Sequence, residues 1–238
     1  MRIAVISDIH GNLEALQVVL LYVKEHEITE VYCLGDIVGY GANPNECLEQ
    51  ITRTCSRVVI GNHDHAAIGL THVNYFNDFA KVSTYWTYSV LSADSKNYLM
   101  ALDFTWQNEK ILLVHATPSE PAMWHYALTE QEARHEFEAF PHHICFIGHS
   151  HFPVIFSEKS GYIKDQKYVL LPQDKYIINV GSVGQPRDGN PRTCFCVYNS
   201  DTGQIEYIRL SYDIALAREK IVKAGLPVFL ADRLLKGF

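Results

Sequence analysis

Two histidines one residue apart follow a short apolar run in the segment FIGHSHFPV, residues 146–154. Side chains two positions apart in extended backbone lie on the same side of a strand, so His149 and His151 could act together. Imidazole nitrogens bind metal ions and transfer protons near neutral pH. The pair alone does not distinguish metal binding from proton transfer. The distinction depends on which other polar residues the chain places nearby.

The same arrangement of polar residues follows four other apolar runs. The residues are Asp8 and His10 after 2–7, Asp36 after 30–35, Asn62 and His63 after 57–62, and His115 after 111–114. Short runs rich in β-branched residues are typical of buried strands. In open α/β sheets, ligands bind outside the carboxyl ends of the strands. A single Asp or His after a strand is usually structural, but five strands that end in this way favour one shared site.

The donor types at these positions indicate a metal centre. Seven Asp, Asn and His donors exceed the needs of one tetrahedral ion and suit two ions that share a carboxylate. Oxygen and imidazole ligands without thiolate favour Mn, Fe, Zn, Co or Ni. Two divalent or trivalent ions with two Asp carboxylates leave a positive centre that attracts phosphate. Two metals about 3.5–4 Å apart can hold the attacking and leaving oxygens of a displacement at phosphorus.

The elements that must position these residues are readable in the first part of the chain. Asn12 is expected to cap a helix, and Asn43 with Pro44 and Glu46 predicts a second helix that starts with a capping box. Alternation of strands and helices at this spacing predicts a βαβαβ unit and a parallel sheet. The overall class is therefore α/β, with residues 1–238 as a single domain.

The rest of the chain adds further elements. We expect a mostly helical segment over 65–101, whose aromatic side chains lie in the core: Tyr75, Phe76, Phe79, Tyr85 and Trp86. The sequence leaves open whether this segment forms a cap over the site. A hairpin over 103–116 and a capping box of Thr129 and Glu132 follow. Strand patterns then dominate until a helix that starts at Asp213 and ends at Gly225.

The ordered blocks DIH, GD, GNH, VHA and GHSH, from residue 8 to residue 151, resemble the calcineurin-like metallophosphoesterase superfamily. The resemblance implies a four-layer sandwich in which two packed, mixed β-sheets are flanked by helices. It also implies two sets of ligands and a bridge: Asp8, His10 and His151 for one metal, Asn62, His115 and His149 for the other, and Asp36 between them. His63 matches the residue that stabilises the transition state or protonates the leaving oxygen.

The second block departs from one branch of this superfamily. Phosphoprotein phosphatases and symmetrical dinucleoside tetraphosphatases read GDxVDRG where this chain reads GDIVGYG. Gly39 therefore replaces the Asp that orients the catalytic His, and Tyr40 replaces an Arg that holds phosphate. The chain is more similar to small bacterial and archaeal phosphodiesterase-like members. Asp64 could take over the orienting role, although adjacent side chains in extended backbone point apart.

Arg187, Tyr40 and Trp124 are candidates for substrate binding. Arg187, in the segment GSVGQPRDGNPR, could contact phosphate where Tyr40 does not, although a Gly-rich connection between strands is the simpler interpretation. Trp124 or Tyr126, which follow His115 closely enough to overhang the site, could stack on a base or an aromatic leaving group. Ordinary loop packing is the alternative for both.

Composition excludes several classes of partner. The net charge of −7 argues against binding to polymeric nucleic acid, which needs clustered Lys and Arg. No apolar run approaches the roughly 20 residues that span a bilayer, so we expect no membrane association. The six cysteines form no CxxC pair, which favours free thiols and a cytoplasmic location. The oligomeric state stays open.

The sequence thus predicts a metal-dependent phosphoric ester hydrolase. The first hypothesis is a phosphodiesterase for cyclic or other small nucleotides, in which metal-activated water attacks phosphorus. The second is a phosphoprotein phosphatase or dinucleoside polyphosphate hydrolase in which Arg187 has the role of the missing Arg. The third is a non-catalytic metal-binding scaffold, which is disfavoured because all seven ligand positions and His63 are filled.

Overall fold

The computed structural model describes the backbone of residues 1–238 and every side chain except that of Tyr75. The expectation for the Tyr75 side chain therefore lies outside the described residues. In the first hundred residues the elements are β1 Arg2–Ile6, α1 Leu13–Glu25, β2 Glu30–Cys33, α2 Pro44–Thr54, β3 Arg57–Val58, α3 Asn62–Ala67, α4 Asp78–Val90 and α5 Ala93–Met100.

The remaining elements are mostly strands. They are β4 Thr105–Gln107, β5 Ile111–Val114, α6 Glu130–Glu136, β6 Ile144–Ile147, β7 Val154–Ser157, β8 Gly161–Ile163, β9 Lys167–Val169, β10 Tyr176–Asn179, β11 Thr193–Asn199, β12 Gln204–Leu210, α7 Ile214–Lys223 and α8 Val228–Asp232. Short 3₁₀ turns occur at Val73–Tyr75, Pro121–Met123, Phe137–Ala139 and Arg233–Leu235. The predicted hairpin of β4 and β5 is present as an antiparallel pair.

The strands form two mixed, six-stranded sheets. One has the order β3-β2-β1-β11-β12-β9 and the other has the order β4-β5-β6-β10-β7-β8. In the first sheet β1, β2 and β3 are parallel neighbours, and in the second β5, β6 and β10 are parallel neighbours. The carboxyl ends of the five strands named in the sequence therefore lie on two sheets rather than on one.

Alternation along β1 builds the layers. Ile3 and Val5 pack in a core between the two sheets, whereas Ala4 and Ile6 pack on the opposite face with α1 and α2. Residues of α6 pack on the outer face of the second sheet. Because successive strand residues point to opposite faces, each sheet buries both of its faces. The predicted four-layer architecture is confirmed.

Several local predictions hold and others are wrong. The side chains of Asn12 and Thr129 cap α1 and α6 as expected. Asn43 makes no capping bond to the backbone, and its side-chain amide donates to the Glu46 carboxylate at 3.0 Å. In the 65–101 segment, Phe79 and Tyr85 are 42 % and 63 % exposed, so their expected core positions are wrong. Their helix α4 has a solvent face, which helical periodicity requires for a surface helix.

The remaining expectations concern the membrane and the cysteines. Among the described residues, no helix is both long and apolar enough to cross a membrane. All six cysteines are free thiols in the structure, and five of them are buried.

Candidate metal centre

The two sheets meet where their parallel strands end. The backbone N–H of His149, after β6, donates to Asp8 Oδ2, after β1, at 3.0 Å. Gly148 makes this approach possible, because a Cβ at this position would lie 2.0 Å from Ser7 Oγ and 2.6 Å from Asp8 Oδ2. Only glycine fits such a close contact between loops. Tertiary packing therefore joins the strand ends of both sheets into one site.

Two groups of buried side chains could each hold a metal ion. They are Asp8, His10 and His151, and Asp36, His115 and His149, with the ligand atoms of each group within 4.8 Å of one another. In the first group, the Nε2 atoms of His10 and His151 are 3.2 Å apart. In the second group, His115 Nε2 lies 3.2 Å from Asn62 Oδ1. All seven predicted ligand residues are thus brought together.

Asp36 belongs to the second group and also faces the first. Its Oδ2 is 3.7 Å from His10 Nε2 and 3.3 Å from His115 Nε2. Its Oδ1 accepts a hydrogen bond from the His63 backbone N–H at 2.8 Å, which fixes the carboxylate plane. A carboxylate with one oxygen facing both groups has the position of a bridging ligand.

Backbone carbonyls select which nitrogen of each histidine is free. The Nδ1 atoms of three rings donate to carbonyl oxygens: His10 to Val38 at 3.2 Å, His115 to Leu34 at 2.8 Å and His151 to Gln185 at 2.5 Å. His149 is reversed, since its Nε2 donates to the Trp124 carbonyl at 2.9 Å. A carbonyl can only accept, so the other nitrogen of each ring keeps its lone pair for a metal.

The electrostatics of the centre favour a cation. Burial acts to raise the pKa of Asp8, but the His151 and His115 rings bring that pKa below its ordinary value. Burial acts to lower the pKa of His115, but Asp36 outweighs it and raises this pKa to about 9. Asp8 Oδ1 is buried and has no hydrogen-bond partner among the described residues. A buried carboxylate oxygen without a donor fits direct ligation to a metal.

Much of the centre is built from residues with left-handed backbone conformation. Five of its ligand residues have a positive φ between 51° and 65°: Asp8, His10, Asp36, His149 and His151. Non-glycine residues rarely adopt this region, and it costs on the order of 1–3 kcal/mol at each position. Such strain persists only where the surrounding fold holds the backbone, which is typical of functional sites.

His63 lies beside the ligands at the start of α3. Its ring is 5.0 Å from that of His10 and 4.5 Å from that of Tyr40, between centroids. Its Nδ1 is buried and has no partner among the described residues. A Cβ at Gly39 would lie 2.8 Å from this Nδ1, so position 39 faces the nitrogen that the Asp of other relatives orients. Burial lowers the pKa of His63 to about 4, which leaves the ring neutral.

Asp64 does not orient His63, and that expectation is wrong. Its carboxylate accepts hydrogen bonds from the backbone N–H groups of Ile37 at 2.9 Å, Val38 at 3.0 Å and Gly61 at 3.2 Å. Burial, reinforced by the charge of Asp36, raises the pKa of Asp64 to about 7. Asp64 therefore holds the loop that carries Asp36, and its side chain points away from the His63 ring.

A cavity of about 520 Å³ opens beside His63 and His149. Tyr40 and Trp124 line it, together with Phe76, Met123 and Tyr126. Within the 65–101 segment, Thr71, His72, Phe76, Asn77 and Ala80 also border the cavity, whereas α5 packs against α2 and α3. The Cζ atom of Arg187 lies 6.0 Å from the centroid of the Tyr40 ring, which borders the metal centre. The three predicted substrate-binding residues thus lie around the same centre.

Tyr126, which the sequence offers beside Trp124 for stacking, lies on His149 with 4.1 Å between ring centroids. Sequence patterns missed two residues near the site. Gln185 holds His151 through its carbonyl oxygen, and Arg233 has its Cζ 5.9 Å from the Tyr40 ring centroid. No strand end or motif marks either of them.

Comparison with known proteins bears directly on this geometry. The family model described as the calcineurin-like phosphoesterase superfamily domain matches residues 1–203. The chain belongs to this superfamily. This member is 40 % identical to an uncharacterized protein of Methanocaldococcus jannaschii over 241 residues, covering 99 % of this chain and 98 % of the relative.

Solved structures of relatives agree. A metallophosphoesterase from Sphaerobacter thermophilus has a TM-score of 0.91 and 36 % identity, with 100 % of this chain and 99 % of that chain covered. A hypothetical protein from Pyrococcus horikoshii OT3 has a TM-score of 0.82 at 18 % identity, with 100 % and 98 % covered, and shows the shared fold. The predicted family and its bacterial and archaeal relatives are confirmed, and they support a metal-dependent phosphoesterase activity in general.

Proposed function

We propose that this protein is a two-metal phosphodiesterase that hydrolyses small phosphodiesters, including cyclic or other small nucleotides. The observation that carries the proposal is the position of Asp36 Oδ2, which faces His10 of one ligand group and His115 of the other. A shared carboxylate between two complete ligand groups suits a pair of ions that act on one phosphoryl group.

The ligand assignment follows from the two groups. Asp8, His10 and His151 would hold one ion, Asn62, His115 and His149 would hold the other, and Asp36 would bridge them. Imidazole and oxygen donors suit Mn, Fe, Zn, Ni or Co. When bound, the pair would supply an activated water nucleophile and neutralise charge on the phosphoryl oxygens.

His63 is proposed to act on the leaving group. The oxygen of water forms a bond to phosphorus, the bond from phosphorus to the ester oxygen breaks, and a proton that the water gives up ends on the leaving oxygen. The His63 ring lines the cavity beside the ligands. In its neutral form the ring carries one N–H, which can donate a hydrogen bond to the leaving oxygen. Asp64 contributes by fixing the loop over 36–38 through backbone hydrogen bonds.

The preference for a diester is supported by the neighbours of His63. Tyr40 is a neutral residue where the phosphatase branch carries an Arg, and a diester has one negative charge on its phosphoryl group instead of two. Phe76, Trp124 and Tyr126 line the adjacent cavity, where an aryl or base group could stack. We propose these residues as the walls of the leaving-group pocket, with residues 71–80 as its rim.

A second candidate is hydrolysis of phosphomonoesters or dinucleoside polyphosphates. It is favoured by Arg187, whose positive charge acts to lower the pKa of His10, His63 and His151. A guanidinium at this distance could hold a dianion in place of the missing Arg. The scaffold alternative has less support, because each ligand position is filled and buried.

Other predictions from the sequence remain proposals. We propose that residues 1–238 act as one domain, that its substrates are small molecules and that it works in the cytoplasm.

The test is metal-dependent turnover of two model substrates. Protein stripped of metal and reloaded with Mn²⁺ is expected to hydrolyse bis(p-nitrophenyl) phosphate faster than p-nitrophenyl phosphate. His151→Ala should lose most of this activity, whereas His135→Ala, which changes an exposed histidine on α6, should keep it. A clear preference for the monoester would favour the second candidate, and no turnover with two bound metals would refute both enzymatic proposals.

A further inference from the structure

Two guanidinium groups lie around the ring of Tyr40. The Cζ atoms of Arg187 and Arg233 are 6.0 Å and 5.9 Å from its centroid. The same ring is 4.8 Å from that of His10 and 4.5 Å from that of His63, between centroids. The two cations are therefore one aromatic ring away from the candidate metal centre.

These two arginines, unlike several others in the described part of the chain, have no acidic side chain as a partner. Arg209 is paired with Asp188, and Arg218 is paired with Asp232 at 2.5 Å. No carboxylate among the described side chains forms an ion pair with Arg187 or Arg233.

The bonds that the two arginines do make leave donors available. Arg187 donates from Nη2 to Gln185 Oε1 at 3.0 Å, and its Nε is buried without a partner among the described residues. Arg233 donates from Nε to a backbone oxygen of Phe238. The Gln185 acceptor is a neutral amide oxygen, so it does not neutralise the charge of Arg187.

The two charges repel each other. Burial and the charge of Arg187 lower the pKa of Arg233 to about 10, so the group is still protonated at neutral pH. Guanidiniums that are partly removed from water and have no acidic side chain as a partner are stabilised when an anion binds to them. Planar guanidiniums bind phosphate oxygens with two parallel hydrogen bonds, which makes phosphate a suitable anion.

Positive charge borders the metal centre. Arg187 donates to the side chain of Gln185, and the carbonyl oxygen of Gln185 holds the ring of His151, so Arg187 lies close to the ligands. Arg233 approaches the Tyr40 ring from the C-terminal segment. Both cations therefore flank one residue that borders the metal centre.

The C-terminal helices place Arg233 there. Leu230 of α8 and Leu234 of the following turn pack in one apolar cluster with Tyr40 and with residues of α7. Arg233 lies beyond residues 1–203, which the family model matches. The last part of the chain therefore adds a cation to a centre that the earlier strands build.

We propose that Arg187 and Arg233 form a subsite for a second phosphoryl group, so that the preferred substrates carry at least two phosphoryl groups in a chain. The inference rests on the proposed function only for the position of the scissile group, which would lie at the metal centre. It selects the polyphosphate substrates of the second candidate over cyclic nucleotides, which carry one phosphoryl group. The substrate class would be organic diphosphates or polyphosphates whose scissile phosphorus bears a further phosphoryl substituent.

The direct test is binding of tripolyphosphate to the full chain without metal, measured by isothermal titration calorimetry. Removing one charge-assisted contact is expected to weaken binding about tenfold in Arg233→Gln and in Arg187→Gln. Arg233→Lys should keep part of the affinity. Arg53→Gln, on the exposed surface of α2, is the matched control and should bind as the original protein does. Circular dichroism checks that each variant is folded.

Two results would overturn the proposal. One is unchanged tripolyphosphate affinity in folded Arg233→Gln and Arg187→Gln proteins, and the other is an equal loss in Arg53→Gln, which would indicate a general charge effect. If Gln at position 233 prevents folding, Arg187→Gln and Arg233→Lys carry the same test. Because metal and turnover are absent from this measurement, its outcome is independent of the proposed hydrolysis.

Inhibition of the Mn²⁺-loaded enzyme links the subsite to the centre. Tripolyphosphate should inhibit hydrolysis of bis(p-nitrophenyl) phosphate more strongly than orthophosphate at fixed free Mn²⁺. The ratio of the two inhibition constants should fall about tenfold in Arg233→Gln. An unchanged ratio would place the anion site outside the path of the substrate and would overturn the proposed substrate class.

Discussion

Gly39 is the position where a single methyl group should disturb the candidate centre most selectively. Its backbone has φ +89°, and a Cβ built on it would lie 2.8 Å from His63 Nδ1 and 3.1 Å from His63 Cβ. His63 is buried, and its ring has close aromatic neighbours in Tyr40 and Phe76. The ring therefore cannot yield without moving other side chains.

The cost of Gly39→Ala has two parts. A non-glycine residue at this φ costs on the order of 1–2 kcal/mol. The contact with His63 adds overpacking, which costs about 1–3 kcal/mol in a well-packed interior. The free energy of unfolding should thus fall by roughly 2–5 kcal/mol in total. A ring displaced by about 1 Å can lower the rate on the order of 100-fold, because proton donation depends on orientation.

Gly69→Ala is the matched control. Gly69 has φ +83°, but a Cβ there would have no heavy atom within 4 Å. The control should therefore lose only the backbone part, about 1–2 kcal/mol, and keep its kcat. Urea unfolding measures the free energies, and hydrolysis of bis(p-nitrophenyl) phosphate with Mn²⁺ measures kcat. Equal stability and equal kcat in the two variants would refute the assigned contact between position 39 and His63.

Three further predictions concern the metals and His63. Asp36→Asn should reduce bound Mn²⁺ from two ions per chain to one or fewer, because the bridging charge is lost, and inductively coupled plasma mass spectrometry measures the bound metal. Asp174→Asn changes a buried Asp outside the centre and should keep two ions. If Asp36→Asn also keeps two ions, the bridging role of Asp36 is contradicted. His63→Ala should lower kcat about 10²- to 10⁴-fold with metal content unchanged, and equal activity would remove His63 from the mechanism. Addition of Mn²⁺ to metal-free protein should raise Tm in proportion to the logarithm of the Mn²⁺ concentration, since the ions bind the folded chain. A Tm that does not change with Mn²⁺ would argue against a preformed site.

The sequence alone determined which residues the structure brings together at the candidate centre. Parallel strands place their carboxyl ends on one edge, so polar residues after apolar runs predicted Asp8 and Asp36 as neighbours, and His115 joins them from the second sheet. The capping box of Thr129 and Glu132 and the hairpin were equally local, since each depends on residues within a few positions of one another. This part of the fold follows from backbone geometry and side-chain alternation.

These local rules could not predict hydrogen bonds between residues that are far apart in sequence. Asp64 has the residue type and the position of an orienting carboxylate, yet it binds the backbone of Ile37 and Val38. Competing donors and acceptors decide such contacts, and only the folded chain brings the competitors together.

The tertiary structure also decided how the ligands are presented. Packing of two sheets imposes left-handed backbone on Asp8 and His149, and backbone carbonyls determine which imidazole nitrogen faces the centre. Arg233 reaches Tyr40 only because α7 and α8 fold back across the chain, more than 190 positions from Tyr40 in sequence. Residue type and strand position are local properties, whereas orientation, charge neighbours and the arrival of a distant cation depend on the packing of the whole fold.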